Sequence, residues 1–215
     1  PSPSDGYFGA VHYIGPIFTA FRGTPEASQF YSLLRQEIDE RVRLGKGPIT
    51  PDGEMGEEKY RLVTEGPPNW TSFRDFWKMF YDEGAVVVAS TYSKVGGLYD
   101  FGFRHDADNP LESLADYCLG CYTNLNLPSR IDMICKYIDE YQADGLLINS
   151  IKSCNSFSAG QLLILREVEK RTGKPAAFIE TDLVDPRYFS AANVKNRLES
   201  YFQMIKQKRA AGVAH

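Results

Sequence analysis

The chain has little of what would staple, span or tether it. Four cysteines in 215 residues are too few for a disulfide-stapled module and fit thiols kept reduced, with the cytoplasm as the expected compartment. No apolar run reaches the length of a membrane-spanning helix, and the first residues lack the basic and apolar regions of a secretory signal, so no membrane role is expected. No basic block offsets the formal net charge of -4, which argues against binding along a nucleic-acid backbone. Absent too are a Walker-type phosphate loop, a GxGxxG after a strand and a GxSxG elbow, which disfavours nucleotide hydrolysis, a standard dinucleotide site and a common hydrolase. Histidine is scarce: His12 and His105 have no motif partner, and His215 is terminal. The start at Pro1-Ser2-Pro3, without methionine, is that expected of a processed product or of a piece of something longer.

What is present alternates between short apolar runs and amphipathic stretches. Strands are expected over 60–63, 86–89, 146–151 and 176–180, each bounded by turn residues. A further short strand is expected around 11–14. Thr24 before Pro25 reads as a cap and first turn, and Tyr31, Leu34, Ile38 and Val42 then recur at helical spacing up to Gly45. Helices are also expected over 72–83, 110–124, 128–141 and 159–170, and from a cap at Ser190 to about 208. The helix over 128–141 carries Ile131, Ile134, Cys135 and Ile138 on one stripe. The economical fold is α/β: an open, mostly parallel sheet of about four strands with helices on both faces, plus an N-terminal helical segment. Residues 1–58 then form an extension with one amphipathic helix and a linker rich in Gly, Pro and acid over 46–58, and residues 59–215 form the α/β domain.

In such a sheet, ligands bind outside the carboxyl ends of the strands. That edge collects Gly66, Asn69 and Trp70 in one loop, the loop after Ser90, the run Lys152-Ser153-Cys154-Asn155, and Glu180-Thr181-Asp182. Cys154 directly follows an apolar strand, and the spacing of Ser158 and Gln161 reads as a capping box for the next helix. Cys154 is therefore a candidate metal ligand or nucleophile, the alternative being a small buried hydrophobe. Glu180 and Asp182, read on the same side of an extended segment, are candidate catalytic carboxylates that hold a proton or orient a donor; the alternative is a structural acceptor of hydrogen bonds. Cys118 and Cys121 form a CxxC without a second pair, late in a helical segment rather than at a strand-to-helix turn, so a zinc or redox reading is weak.

The run SIKSCNSFSAGQ over 150–161, then Glu180-Thr181-Asp182 and the closing NRLESYF over 196–202, resembles the benzoyl-CoA reductase and 2-hydroxyacyl-CoA dehydratase family, nearest to its benzoyl-CoA reductase members. The likeness runs through most of 33–209. Family members are longer, so the resemblance implies the C-terminal half of a catalytic subunit. It further implies a [4Fe-4S] cluster held by cysteine thiolates, one of them matching Cys154 and the others lying in an N-terminal domain, so that the cluster site is incomplete in this stretch alone. Lys152, Ser153, Asn155, Gly66, Asn69 and Trp70 would then surround the cluster or the substrate. The implied reaction is a low-potential one-electron reduction of an aromatic acyl-CoA. The implied partners are a homologous catalytic subunit and ATP-hydrolysing electron-activating subunits, with ferredoxin upstream. A dehydratase working through a ketyl radical on a 2-hydroxyacyl-CoA is the alternative within the family. A docking or assembly module, using the helix over 24–44 and the aromatic N-terminal stretch, is the alternative outside it.

Overall fold

Strands β3 (Tyr60–Glu65), β4 (Ala85–Ser90), β5 (Gly145–Ile151) and β6 (Ala176–Thr181) form one sheet in the order β4-β3-β5-β6, every neighbouring pair parallel. The computed structural model describes residues 1–6, 21, 23–50, 52–96 and 101–213; the short strand expected around 11–14 lies outside them. All of β5 is buried, as a central parallel strand covered on both faces must be. One face packs on Phe76, Trp77 and Phe80 of α2 (Phe73–Asp82) and on Val194, Leu198, Tyr201, Phe202 and Ile205 of α7 (Ala191–Val213). The other packs on α4 (Leu127–Glu140) and α6 (Gln161–Thr172) through Ile131, Ile134, Ile138, Ile164 and Val168. The α/β architecture thus agrees with the pattern of the sequence.

The extension is held differently from its expected form. Helix α1 (Pro25–Leu44) has the expected ends: Thr24 Oγ1 accepts from the Ala27 N–H at 3.3 Å, and Gly45 closes it in the left-handed conformation. Among the described residues its apolar stripe does not reach a core. Only Ala27 is buried, while Tyr31, Leu34 and Ile38 are half-buried and Val42 is exposed. The caps support α1 at both ends, and Arg41 ties it to the chain by donating to the Pro3 and Gly47 carbonyls. The linker expected over 46–58 contains a small antiparallel ribbon, β1 (Ile49–Thr50) with β2 (Gly53–Glu54).

Two helices depart from expectation for identifiable reasons. α3 (Pro110–Leu119) stops before Gly120, and Tyr122 turns into the core within a short 3₁₀ turn, Tyr122–Asn124. The helix after β5 is broken. Cys154 precedes only the four-residue α5 (Asn155–Ser158), Gly160 takes φ of 82°, and α6 begins at Gln161. The capping box does not form, because the Gln161 side chain is drawn to Glu65 across the crevice. The long helix α6 therefore starts seven positions after Cys154 rather than beside it.

At α4, the Asn126 side chain accepts from the Ser129 N–H at 3.0 Å. Asn126→Ala is expected to cost about 1 kcal/mol, the usual worth of an N-cap, read as a lowered urea midpoint with an unchanged slope. Asn126→Ser, which keeps an acceptor, recovers most of it.

Candidate functional site

The crossovers fix where a ligand can enter. From β3 the chain passes to β4 on one side, then returns beyond β3 to β5 and continues to β6 on the other. The loops leaving β3 and β5 therefore part at the carboxyl edge, which is the topological switch point where open α/β sheets bind ligands. β3 ends at Glu65, paired with Ile148, and β5 runs on through Asn149, Ser150 and Ile151 beside β6.

Close contacts bind the two sides of this crevice. Gly66 has φ of 98°, and a Cβ built there would stand 2.2 Å from the Asn149 carbonyl oxygen, so the β3 loop crosses β5 with no room for a side chain. The Asn149 Nδ2 donates to the Pro67 carbonyl at 2.6 Å, and its Oδ1 accepts from Thr181 Oγ1 at 2.8 Å. One buried amide thus links the β3 loop, β5 and β6. Thr91, just after β4, completes the edge by accepting from the Gly66 N–H at 3.3 Å.

Cys154 is half-buried at the end of the turn that follows β5, against the core face formed by α4 and α6. That turn is pinned from β6. Asp182 Oδ2 accepts from the Ser153 N–H at 3.0 Å, and its Oδ1 accepts from the Val184 and Asp185 N–H groups at 3.0 and 3.1 Å. The Val184 N–H foremost, with the Ser153 side chain and the Asp185 and Ser153 N–H groups, holds the Asp182 carboxyl down at about 2, in spite of the opposing effect of its burial. A carboxylate so committed is charged at neutral pH and fixes the turn that carries Cys154. Glu180 differs: it is exposed and stands 3.8 Å from the Lys152 Nζ, which also lies 5.0 Å over the Tyr188 ring. The two carboxylates read as sharing a side are thus placed apart, Glu180 toward solvent and Asp182 beneath the turn.

The remaining candidates spread along the same edge. Ser153 and Asn155 are exposed beside Cys154. Asn69 is fully buried, with Oδ1 accepting from Thr71 Oγ1 at 2.8 Å and Nδ2 without a partner among the described residues. Trp70 is exposed and stacks on Phe73, with Tyr92 at its edge. Cys118 and Cys121 lie at the end of α3, and Cys135 is buried on its expected stripe. Among the described residues no three His, Cys, Asp or Glu side chains converge on one metal position. Cys154 can supply one thiolate to a cluster but not a ligand set.

Sequence reasoning missed a buried carboxyl at the floor of the crevice. Glu65 is fully buried and accepts from Tyr122 Oη at 3.2 Å and from the Gln161 Nε2. Burial raises it to about 7, against the lowering effects of Gln161, Tyr122 and the charge of Arg130. Arg130 in turn lies 5.1 Å over the Tyr122 ring and donates to the Thr123, Leu125 and Ser156 carbonyls. The apolar run ends at Val63, so pattern alone places Glu65 in a loop. The strand runs two residues further.

A family model described as 2-hydroxyglutaryl-CoA dehydratase, D-component, matches residues 1–205. The chain is 78% identical to a benzoyl-CoA reductase subunit of Thauera aromatica, over 98% of this chain and 49% of that protein. It is 28% identical to the (R)-2-hydroxyisocaproyl-CoA dehydratase alpha subunit of Clostridioides difficile, over 97% of this chain and 48% of that protein. With the alpha subunit of (R)-2-hydroxyglutaryl-CoA dehydratase of Acidaminococcus fermentans it shares 25% identity, over 96% of this chain and 40% of that protein. The chain therefore spans about half the length, or less, of the curated relatives it matches. No helix among the described residues is long and apolar enough to cross a membrane.

Proposed function

The chain belongs to the 2-hydroxyglutaryl-CoA dehydratase D-component family, and from that premise we propose that it is the C-terminal part of a catalytic subunit of a cytoplasmic benzoyl-CoA reductase. The observation that carries this reading is the 78% identity to a reductase subunit, against 24% to 28% to the named dehydratase alpha subunits. In the reaction so assigned, the aromatic ring of benzoyl-CoA takes up two electrons and two protons and becomes a cyclohexadiene-carbonyl-CoA. The partners are then a homologous catalytic subunit and ATP-hydrolysing electron-activating subunits, with ferredoxin upstream.

Cys154 is the residue proposed to bind the cofactor, as one thiolate of a [4Fe-4S] cluster whose other ligands lie outside this chain. A bound cluster supplies electrons at low potential, one at a time. The residues of this chain do the positioning. Asp182 holds the Ser153 N–H and so the turn that carries Cys154, while Asn149 keeps the β3 loop against β5. The exposed Trp70 face provides an apolar wall at the same edge.

Iron analysis of the full-length subunit and of its Cys154→Ala form tests the assignment. The variant is expected to lose most of its iron and its reductase activity while keeping its fold; equal iron in both forms removes Cys154 from the ligand set. Assay of the assembled enzyme on benzoyl-CoA and on 2-hydroxyacyl-CoA thioesters separates this reading from the dehydratase one, which the family match and the dehydratase relatives favour. Turnover of the 2-hydroxyacyl thioester alone would decide for the latter.

A further inference from the structure

A cleft of about 240 Å³ opens at the outer end of the carboxyl edge, between β6 and the first turns of α7. Its floor is apolar, made by Ile179 and Val194, and its rim carries Lys152, Arg187, Arg197 and Tyr188. We propose that this cleft seats the phosphate-bearing adenosine end of a CoA thioester, an inference that rests on the function proposed above.

The chemistry of the rim supports an anionic, partly aromatic ligand. Three cations line the cleft against one carboxylate, Glu180, in a chain whose formal net charge is -4. Lys152 meets Glu180 only at 3.8 Å, with both side chains about half exposed, and an ion pair so open to water contributes little. Arg187 already forks onto the Asp185 carboxylate through Nε and Nη2, but its side chain is 86% exposed, and a phosphate group offers the same forked, charge-assisted acceptance. Arg197 is held at the cleft by donating one N–H to the Phe178 carbonyl at 2.9 Å.

Tyr188 supplies the other half of the recognition. Tyr188 is 47% exposed as a residue, and its ring has the Lys152 ammonium on one side, 5.0 Å from the ring centre. Such an aromatic face stacks a purine without regard to its substituents. The cleft is also placed for the task. Lys152 lies two positions before Cys154 in the same turn, so the cleft adjoins the turn that carries the proposed cluster ligand.

The test uses the full-length protein in its assembled enzyme, with free CoA as the binding probe. Arg187→Glu and Tyr188→Ala are the variants, each checked for an unchanged thermal midpoint. Arg187→Glu is expected to raise the Kd for CoA about tenfold or more, the loss of a charge-assisted contact, and Tyr188→Ala to raise it severalfold. The KM of the CoA thioester should rise with Kd. The KM of the corresponding pantetheine thioester, which lacks the nucleotide, should not follow it. CoA binding as in the wild type by both variants, or equal losses on the CoA and pantetheine thioesters, would overturn the assignment while leaving the proposed function standing. A wild-type enzyme that neither binds CoA nor turns over any CoA thioester would remove both.

Discussion

Gly66→Ala is expected to destabilise the protein by about 4 kcal/mol or more, at the upper end of what single substitutions do. Two separate penalties combine at this position. The backbone φ of 98° lies in the region open to glycine and costly to other residues. A methyl group would also stand 2.2 Å from the Asn149 carbonyl oxygen, which belongs to the fully buried strand β5 and cannot withdraw without breaking its register with β6. Gly45 separates the penalties, since its φ of 66° closes α1 where nothing lies within 4 Å of a built Cβ. Gly45→Ala should therefore lose only about 1 kcal/mol. Urea unfolding of the two variants makes the comparison. If Gly66→Ala loses no more than Gly45→Ala, the close crossing of the β3 loop over β5 does not hold the crevice together.

This pair of glycines also marks the line between what is legible in the sequence and what is not. Gly45 and the Thr24-Pro25 pair act within one turn of chain, so their spacing announces the ends of α1 as the structure has them. The four strands were legible as well, because a parallel strand buried on both faces needs an unbroken apolar run. Gly66 reads locally as an ordinary loop glycine; its constraint comes from a strand more than eighty positions away. The same holds at Gln161, whose spacing from Ser158 suggests a cap but whose amide is taken by Glu65, 96 positions distant.

The crevice shows a similar division. That Cys154 stands at the end of a central strand was legible from the apolar run before it. The separation of Glu180 from Asp182 was not, because it depends on where β6 ends: Thr181 is still in the strand, and Asp182 lies beyond it where three N–H groups converge. The stripe on α1 was legible as a pattern, yet a pattern shows that a face is apolar and not what lies against it. Among the described residues that face is only half covered. Long-range contacts, then, decide the functional edge, while local chemistry decides the elements that frame it.

The second large effect is a dependence of stability on pH that passes through Glu65. In the folded chain this carboxyl is raised from its ordinary 4.5 to about 7, burial being the main cause. Below the ordinary value the group is protonated in folded and unfolded chains alike. Between there and about 7 the folded chain keeps a proton that the unfolded chain releases, so stability falls as pH rises, and the loss is complete above the folded value. One pKa unit corresponds to about 1.4 kcal/mol, so the total loss is on the order of 3 kcal/mol. Glu65→Gln removes the titrating group and keeps a side chain of the same shape, able to accept from Gln161 Nε2 and to exchange a hydrogen bond with Tyr122 Oη. The neighbouring groups stay as they were, including the Arg130 charge and the low-lying carboxyl of Asp182. Their contributions cancel when the variant is compared with the wild type at each pH. The variant should therefore gain about 3 kcal/mol on the wild type between about pH 4 and about pH 8, measured as the difference between their urea unfolding free energies. Parallel stability curves for the two proteins across that range would mean that Glu65 ionises in the folded state as it does in water, and that the floor of the crevice is wet rather than closed.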